Sequence, residues 1–299
     1  IVGGGPAGLS AAVYCGRANL KPLVFMGVQT SSQLLTTTEV ENYPGFESVL
    51  GPDLVDKMIK QAEKSEATLI FDDILHLDFD DGKQLFVVES SFSGVKHSKA
   101  VIFATGSKSK TLDVPGAKEF WQKGVSTCAV CDSKIAKNKK VVVVGGGDVA
   151  CEEASYVANI AEKVYLVLRR DVFRASPIME ERVKKCKNVE IIYKSNVTKI
   201  LGSKSVEQVI INKNGDEIVL DVSGLFWCIG NLPQTDLVKH LCEINEQGYV
   251  LKYNGQKSSK DGLFVAGDCS DWEYRQAVVA AGAGCMAALE CQRWLEDKQ

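Results

Sequence analysis

Two stretches of this chain repeat one pattern. Ile1-Val2 and Val141-Val142-Val143-Val144 are unbroken apolar runs, and each passes through three glycines into a segment of small and apolar residues. A run without polar alternation predicts a strand buried on both faces, and the segment after it predicts a helix. Further strand-like runs lie at 68–71, 85–89 and 100–104, then at 163–168, 189–193, 206–211, 217–222 and 225–228, and again at 262–266. Helices are expected over 9–17 and 52–65, and from Tyr274 through Ala287 toward Trp294. Asp80-Asp81-Gly82 supplies a hairpin turn, and 33–45 reads as a long polar loop. Strands alternating with helices give an α/β class with mostly parallel sheets.

The glycines sharpen the reading. Gly3, Gly5 and Gly8 stand on the G-x-G-x-x-G spacing, and Gly145, Gly147 and Ala150 repeat it. The first position allows a tight turn, the second lets a pyrophosphate reach the backbone, and the third lets the helix pack close to the strand. The helix then aims its free N–H groups at the phosphates. One such turn is weak evidence, but two copies about half a chain apart imply two dinucleotides. About 20 residues beyond the first turn, where a ribose-binding acid is expected, the chain has Phe25-Met26. At the matching register of the second turn it has Arg169-Arg170, followed by Arg174. Guanidinium forks suit a 2'-phosphate, which favours NADPH over NADH, against the plainer reading of a solvated arginine cluster. Thr105-Gly106 and Gly267-Asp268 close strands at the edge where such sheets bind ligands. The plain alternatives are an N-cap for Asp268 and a surface charge for Arg275.

Only one pair among the ten cysteines is close in sequence, Cys128-Ala129-Val130-Cys131, followed by Asp132. This spacing suits dithiol-disulfide exchange, and an adjacent carboxyl can act as proton donor where no histidine is near. A zinc site needs a second ligand pair, and neither the other cysteines nor His76, His97 and His240 supply one at matching spacing. A formal charge of -3 with 24% charged residues gives no basic excess for nucleic acid and no polybasic membrane anchor. No apolar run approaches the roughly 18 residues of a membrane span. Scattered cysteines in apolar patterns read as reduced thiols in a cytoplasmic, reducing compartment. With only Ile1-Val2 before the first glycines, the opening strand is expected to be short of several residues.

The chain resembles the low-molecular-weight thioredoxin reductases over essentially its whole length. The matching blocks are GGGPAG, QLLTTTEVENYPGF, ATG, CAVCD, VVVVGGGDVACEEA, RRDVFRA, GLFVAGD and YRQAVVAAGAGCMAALE, in the family's order. The resemblance implies two Rossmann-like three-layer domains, an FAD domain (1–108 and 234–299) interrupted by an NADPH domain (109–233) that carries the redox pair. It implies a homodimer whose NADPH domain swings between two orientations, and thioredoxin as the partner. FAD would be held by Gly3, Gly4, Gly5, Pro6, Ala7, Gly8, Gln33, Leu34, Asn42, Thr105, Gly106, Gly267, Asp268, Arg275, Gln276 and Ala277, with Ile74 near the adenine. NADPH would be held by Gly146, Gly147, Asp148, Val149, Ala150, Arg169, Arg170 and Arg174. Cys131 would lie against the flavin, Cys128 would attack the thioredoxin disulfide, and Asp132 would be the acid. Electrons would pass from NADPH to FAD, to the Cys128-Cys131 disulfide, and to thioredoxin. Ser31-Ser32 replace the family's usual glycines and Leu168 its frequent histidine, changes expected to alter affinity rather than remove function. The competing readings are a related flavin-dependent reductase of another disulfide and a non-catalytic nucleotide sensor.

Overall fold

The structure, a computed structural model, describes residues 1–28, 32–36 and 39–298, with Thr36 by its backbone alone. Gln29, Thr30, Ser31, Thr37, Thr38 and Gln299 lie outside the described residues. The chain forms two compact units, Ile1–Lys108 with Leu232–Gln299, and Ser109–Asn231. The main helices are α1 (Pro6–Arg17), α2 (Gly51–Lys64), α3 (Asp148–Ala158), α4 (Pro177–Lys184) and α5 (Ala277–Asp297).

In the first unit Val2 sits in the middle of a parallel sheet. It bridges Phe25 of Leu23–Phe25 on one side and Phe103 of Val101–Phe103 on the other. Thr68–Ile70 and Leu263–Val265 extend the sheet at its two ends. Side chains alternate between faces with period two. Val101, Phe103, Leu263 and Val265 enter one core with Leu77, Phe86 and Val88 of an antiparallel sheet formed by Ile74–Asp80, Leu85–Ser90 and Gly94–Ser98. Ile102, Ala104, Phe264 and Ala266 enter the other, against Ala7 and Ala11 of α1 and Ala283 and Ala287 of α5. The result is three layers: helices, parallel sheet and antiparallel sheet.

The second unit repeats the plan. Its parallel sheet runs in the order Val125–Ser126, Gly224–Trp227, Lys140–Val144, Lys163–Val167, Val189–Ile192. Val141, Val143, Leu166 and Phe226 pack against Ala150, Ala154 and Val157 of α3 and Val183 of α4. Val142, Val144, Val167, Leu225 and Trp227 pack against Val197, Ile200, Val209, Ile211 and Leu220 of the antiparallel sheet Ser195–Gly202, Val206–Lys213, Asp216–Asp221. Burial on both faces is why these strands are apolar without interruption.

Several elements differ from the sequence reading. The stretch read as a polar loop contains a 3-10 turn, Gln33–Thr36, and a short strand, Glu39–Val40, paired with Val49–Leu50. Ser107–Ser109 is a strand paired with Asn231–Pro233, an element with no counterpart among the expected strands. The strands Ile74–Asp80, Gly94–Ser98 and Ser195–Gly202 and the helix α4 were not anticipated. Gly94–Ser98 is polar and mostly exposed at a sheet edge, so it carries no apolar alternation to detect. The last helix starts at Ala277 rather than Tyr274. The Asp271 carboxylate accepts the N–H groups of Glu273, Tyr274 and Arg275 and closes a turn first, with Arg275 at φ +49°. Among the described residues, no helix is long and apolar enough to cross a membrane.

The packing of α1 on α5 depends on small residues. A Cβ at Gly284 would stand 2.0 Å from the Ala7 carbonyl oxygen, whereas one at Gly282 would meet nothing within 4 Å. Gly284→Ala is therefore expected to destabilise the protein by about 1–3 kcal/mol. Gly282→Ala, in the same helix, is expected to stabilise it by about 0.5–1 kcal/mol. Urea denaturation of the two variants checks this, and equal effects would contradict the packing argument.

Candidate redox and dinucleotide sites

The cysteine pair lies between the strand Val125–Ser126 and a short 3-10 turn, Ser133–Ile135. Cys128 and Cys131 are joined by a disulfide with their Cα atoms 5.3 Å apart. The loop is held at three points. The Asp132 N–H donates to the Cys128 carbonyl at 3.1 Å, the Cys131 N–H donates to Cys128 Sγ at 3.1 Å, and the Cys128 N–H donates to Ser126 Oγ at 3.1 Å. The Ser126 hydroxyl in turn donates to the Asp132 carboxylate. A fourth support comes from α3, where Glu153 Oε2 accepts the Ala129 N–H at 2.6 Å. Burial raises the Asp132 carboxyl above its ordinary value, opposed by hydrogen bonds from Ser126 and Gln122. A carboxyl that keeps its proton more readily is suited to donate it. The Cys131 amide, directed at Cys128 Sγ, favours a thiolate there once the disulfide opens.

Sequence reading singled out Cys128, Cys131 and Asp132 but not Ser126, Gln122 and Glu153, which bond to this loop. Ser126 lies just before the motif, where a hydroxyl two residues ahead of a cysteine can form a turn. Glu153 is 22 residues beyond Cys131, and only the fold brings it back. The remaining eight cysteines are free thiols, and among the described residues no group of three His, Cys, Asp or Glu side chains could hold a metal ion.

The first glycine turn joins the Val2 strand to α1. A Cβ at Gly8 would stand 1.9 Å from the Gly3 carbonyl oxygen, so the helix and turn are in direct contact. At Gly5 a Cβ would meet only Ser32 Oγ, at 3.9 Å, which leaves room over the helix N-terminus for a phosphate. Gly4 lies against Met26, and Pro6 and Ala7 open the helix. Gly267 packs against Ala7, which brings Asp268 to the same edge of the sheet. Gln33 donates to the Ser107 carbonyl at 2.8 Å, Asn42 donates to Gln276 Oε1 at 3.2 Å, and Gln276 directly precedes α5, which starts at Ala277. Thr105 and Gln234 exchange hydrogen bonds beside Gly106, whose φ of +71° opens onto empty space. Leu34 packs beneath this surface against the core that contains Leu9 and Met26, while Ile74 begins a strand of the antiparallel sheet. The turn that an acid caps in this region belongs to Asp271, not to Asp268.

In the second unit Gly147 likewise faces open space, and Gly146 packs on Leu168. Asp148, Val149 and Ala150 form the first turn of α3. Arg169, Arg170 and Arg174 are exposed and form no ion pair with a carboxylate among the described residues. Both cradles thus offer an open glycine at a helix N-terminus, and the second adds three free guanidinium groups. These features fit two dinucleotides, one of them carrying an extra phosphate.

Asp268 has a measurable signature. Its burial and the negative charge of Asp271 raise its pKa from 3.8 to about 6, with Arg275 acting in the opposite sense. An acid whose folded pKa is raised holds its proton more tightly when folded. Its stability contribution is therefore intact below the unfolded value and is lost as the pH rises toward about 6. The cofactor-free protein should lose about 2–3 kcal/mol across this window through Asp268. Asp268→Asn should remove that decline. Urea unfolding of both proteins between these pH values checks it, and identical pH profiles would rule the contribution out.

Comparison with known proteins places this architecture. The family described as pyridine nucleotide-disulphide oxidoreductase matches residues 1–284. A thioredoxin reductase from Spironucleus barkhanus is 55% identical over 298 residues, covering 99% of this chain and 97% of that protein. The solved thioredoxin reductase from Giardia duodenalis superposes with a TM-score of 0.94 at 48% identity, covering 99% of this chain and 97% of that one. The thioredoxin reductase structure from Streptococcus pyogenes MGAS5005 gives 0.91 at 34% identity, again over 99% and 97%. With a disulfide of redox spacing between two open glycine cradles in sequence, the chain belongs to the pyridine nucleotide-disulphide oxidoreductases and, within them, to the low-molecular-weight thioredoxin reductases.

Proposed function

We propose that this protein uses NADPH to reduce thioredoxin, through FAD and the Cys128-Cys131 disulfide. The observation that carries the proposal is that disulfide, set beside a carboxyl whose burial raises its pKa and fastened by Ser126 and Glu153. The first unit, with Gly3 to Gly8, Gln33, Leu34, Asn42, Ile74, Thr105, Gly106, Gly267, Asp268 and Arg275 to Ala277, is the FAD-binding part. The second, with Gly146, Gly147, Val149, Ala150 and the arginines Arg169, Arg170 and Arg174, is the NADPH-binding part. FAD, when bound, supplies the two-electron exchange between NADPH and the cysteine pair.

The chain's own residues do the rest. Reduction opens the sulfur-sulfur bond and leaves two electrons and the negative charge on the pair, with Asp132 giving up its proton to one sulfur. Cys128 Sγ, favoured as thiolate by the Cys131 amide, attacks one sulfur of the thioredoxin disulfide, and the other leaves as a thiolate. Cys131 then attacks Cys128 in the mixed disulfide, releasing the second thioredoxin thiol and restoring the ring.

A cytoplasmic location is part of the proposal, supported by eight free thiols. So is a homodimer. Val278, Val279, Met286 and Leu289 form an exposed apolar row on α5, with Tyr14 of α1 also exposed. Such a row is the kind of surface a second copy covers. Sedimentation should find a dimer, and Met286→Glu should shift it toward monomer; a monomeric wild-type protein would end that part of the proposal.

The function is tested by anaerobic titration of the flavin-loaded protein with NADPH, followed by oxidised thioredoxin. Loss of the flavin absorbance with NADPH and its return with thioredoxin is the expected course. If the absorbance is lost but thioredoxin does not restore it, the reductase acts on another disulfide. Cys131→Ser should keep its flavin and lose thioredoxin reduction, and retained reduction would overturn the disulfide relay.

A further inference from the structure

Asp148 opens α3 directly after the second glycine turn, a position that suggests contact with the nucleotide. Its side chain is engaged by the protein instead. Oδ1 accepts the Ser176 N–H at 2.7 Å and the Ser176 hydroxyl at 2.8 Å. Alongside, the Gly146 carbonyl accepts the N–H groups of Arg174 at 2.7 Å and Ala175 at 3.1 Å. Four hydrogen bonds therefore fasten residues 174–176 onto the turn that precedes α3.

Charge explains why this arrangement suits Asp148. A carboxylate and a nucleotide phosphate have the same sign, so direct contact between them would be repulsive. Turned toward Ser176, the carboxylate makes a charge-assisted hydrogen bond with a backbone N–H and still complements the helix N-terminus. The segment it holds begins with Arg174, and Arg169 and Arg170 lie at the other end of the same connection. None of these arginines has a protein carboxylate to fix it among the described residues. Each loses side-chain rotamer freedom when a phosphate fixes it. A fixed backbone is thus the means by which the chain limits the freedom of Arg174 before a phosphate arrives.

We propose that Asp148 is a positioning residue which, with Ser176, latches the arginine segment to the glycine turn and so sets the preference for a 2'-phosphorylated adenine nucleotide over an unphosphorylated one. The proposal rests on the reading of Arg169, Arg170 and Arg174 as the 2'-phosphate site. It assigns Asp148 to the protein's own scaffold rather than to direct nucleotide contact.

The test is calorimetric binding of adenosine 2',5'-bisphosphate and of adenosine 5'-monophosphate to the full flavin-loaded chain, with no turnover required. Wild type should bind the bisphosphate more tightly. Asp148→Ala should weaken bisphosphate binding about tenfold, the scale of a hydrogen bond to a charged group, while leaving the monophosphate within about twofold. Ser176→Ala, which removes only the hydroxyl bond and is the milder variant should Asp148→Ala fail to fold, should reduce the preference about threefold. Arg169→Ala/Arg170→Ala tests the underlying site separately. If that variant loses the preference but Asp148→Ala and Ser176→Ala keep it, the arginine site stands and the latch is overturned. Equal weakening of both nucleotides in Asp148→Ala would also overturn it, because the residue would then support the glycine turn alone. Wild type without preference would overturn both readings.

Discussion

The structure depends on how closely a helix can start against the end of a parallel strand. At Gly8 a Cβ would lie 1.9 Å from the Gly3 carbonyl oxygen, and at Gly145 one would lie 2.2 Å from the Cys228 carbonyl oxygen. Neither distance admits a side chain. Removing the side chains lets α1 and α3 begin within the turn itself, with their unpaired N–H groups pointing out of the sheet edge. The layers behind follow from the same constraint. A helix so close to its sheet must show it small residues, which is what Ala7, Ala11, Ala150 and Ala154 provide.

Given two such turns, the difference between the units comes from what stands beside them. The first is followed by Phe25-Met26, which are buried and contribute core rather than recognition. The polar groups proposed for it come from distant segments, Gln33 of a 3-10 turn, Asn42 of a loop, and Thr105 and Asp268 beyond separate strands. The second is followed by exposed arginines within one continuous segment. On the proposed reading, recognition in one unit is assembled by the fold and in the other is nearly local.

This contrast also governs what the sequence disclosed. The central strands were legible because burial on both faces leaves an unbroken apolar run, and the glycine turns because their spacing is a steric requirement. The redox pair and its acid were legible because all three lie within five residues. The antiparallel layers were less so. Ile74–Asp80 places only Leu77 fully in the core and turns His76 and Asp78 outward, and Gly94–Ser98 has an edge strand's polarity. The supports of the redox loop were not legible at all. Glu153 belongs by pattern to the exposed face of a helix, and its bond to Ala129 exists only because α3 packs beneath the loop. The bond from Ser176 to Asp148 was not legible either, since Ser176 reaches the turn only through a long connection.

These last two residues show what α3 does. Asp148 is its first residue and Glu153 follows five positions later, about 7.5 Å along the axis at 1.5 Å per residue. One carboxylate holds the arginine segment and the other holds the backbone between the two redox cysteines. A single rigid helix therefore fixes both the nucleotide turn and the disulfide loop relative to each other within the second unit. Ala150, Cys151, Ala154 and Val157 bury the intervening face without exposure, so the helix cannot rotate without breaking that core. The chemistry proposed for the unit is split between a nucleotide and a disulfide, and the geometry between the glycine turn and the disulfide loop is set by one buried element rather than by the loops themselves.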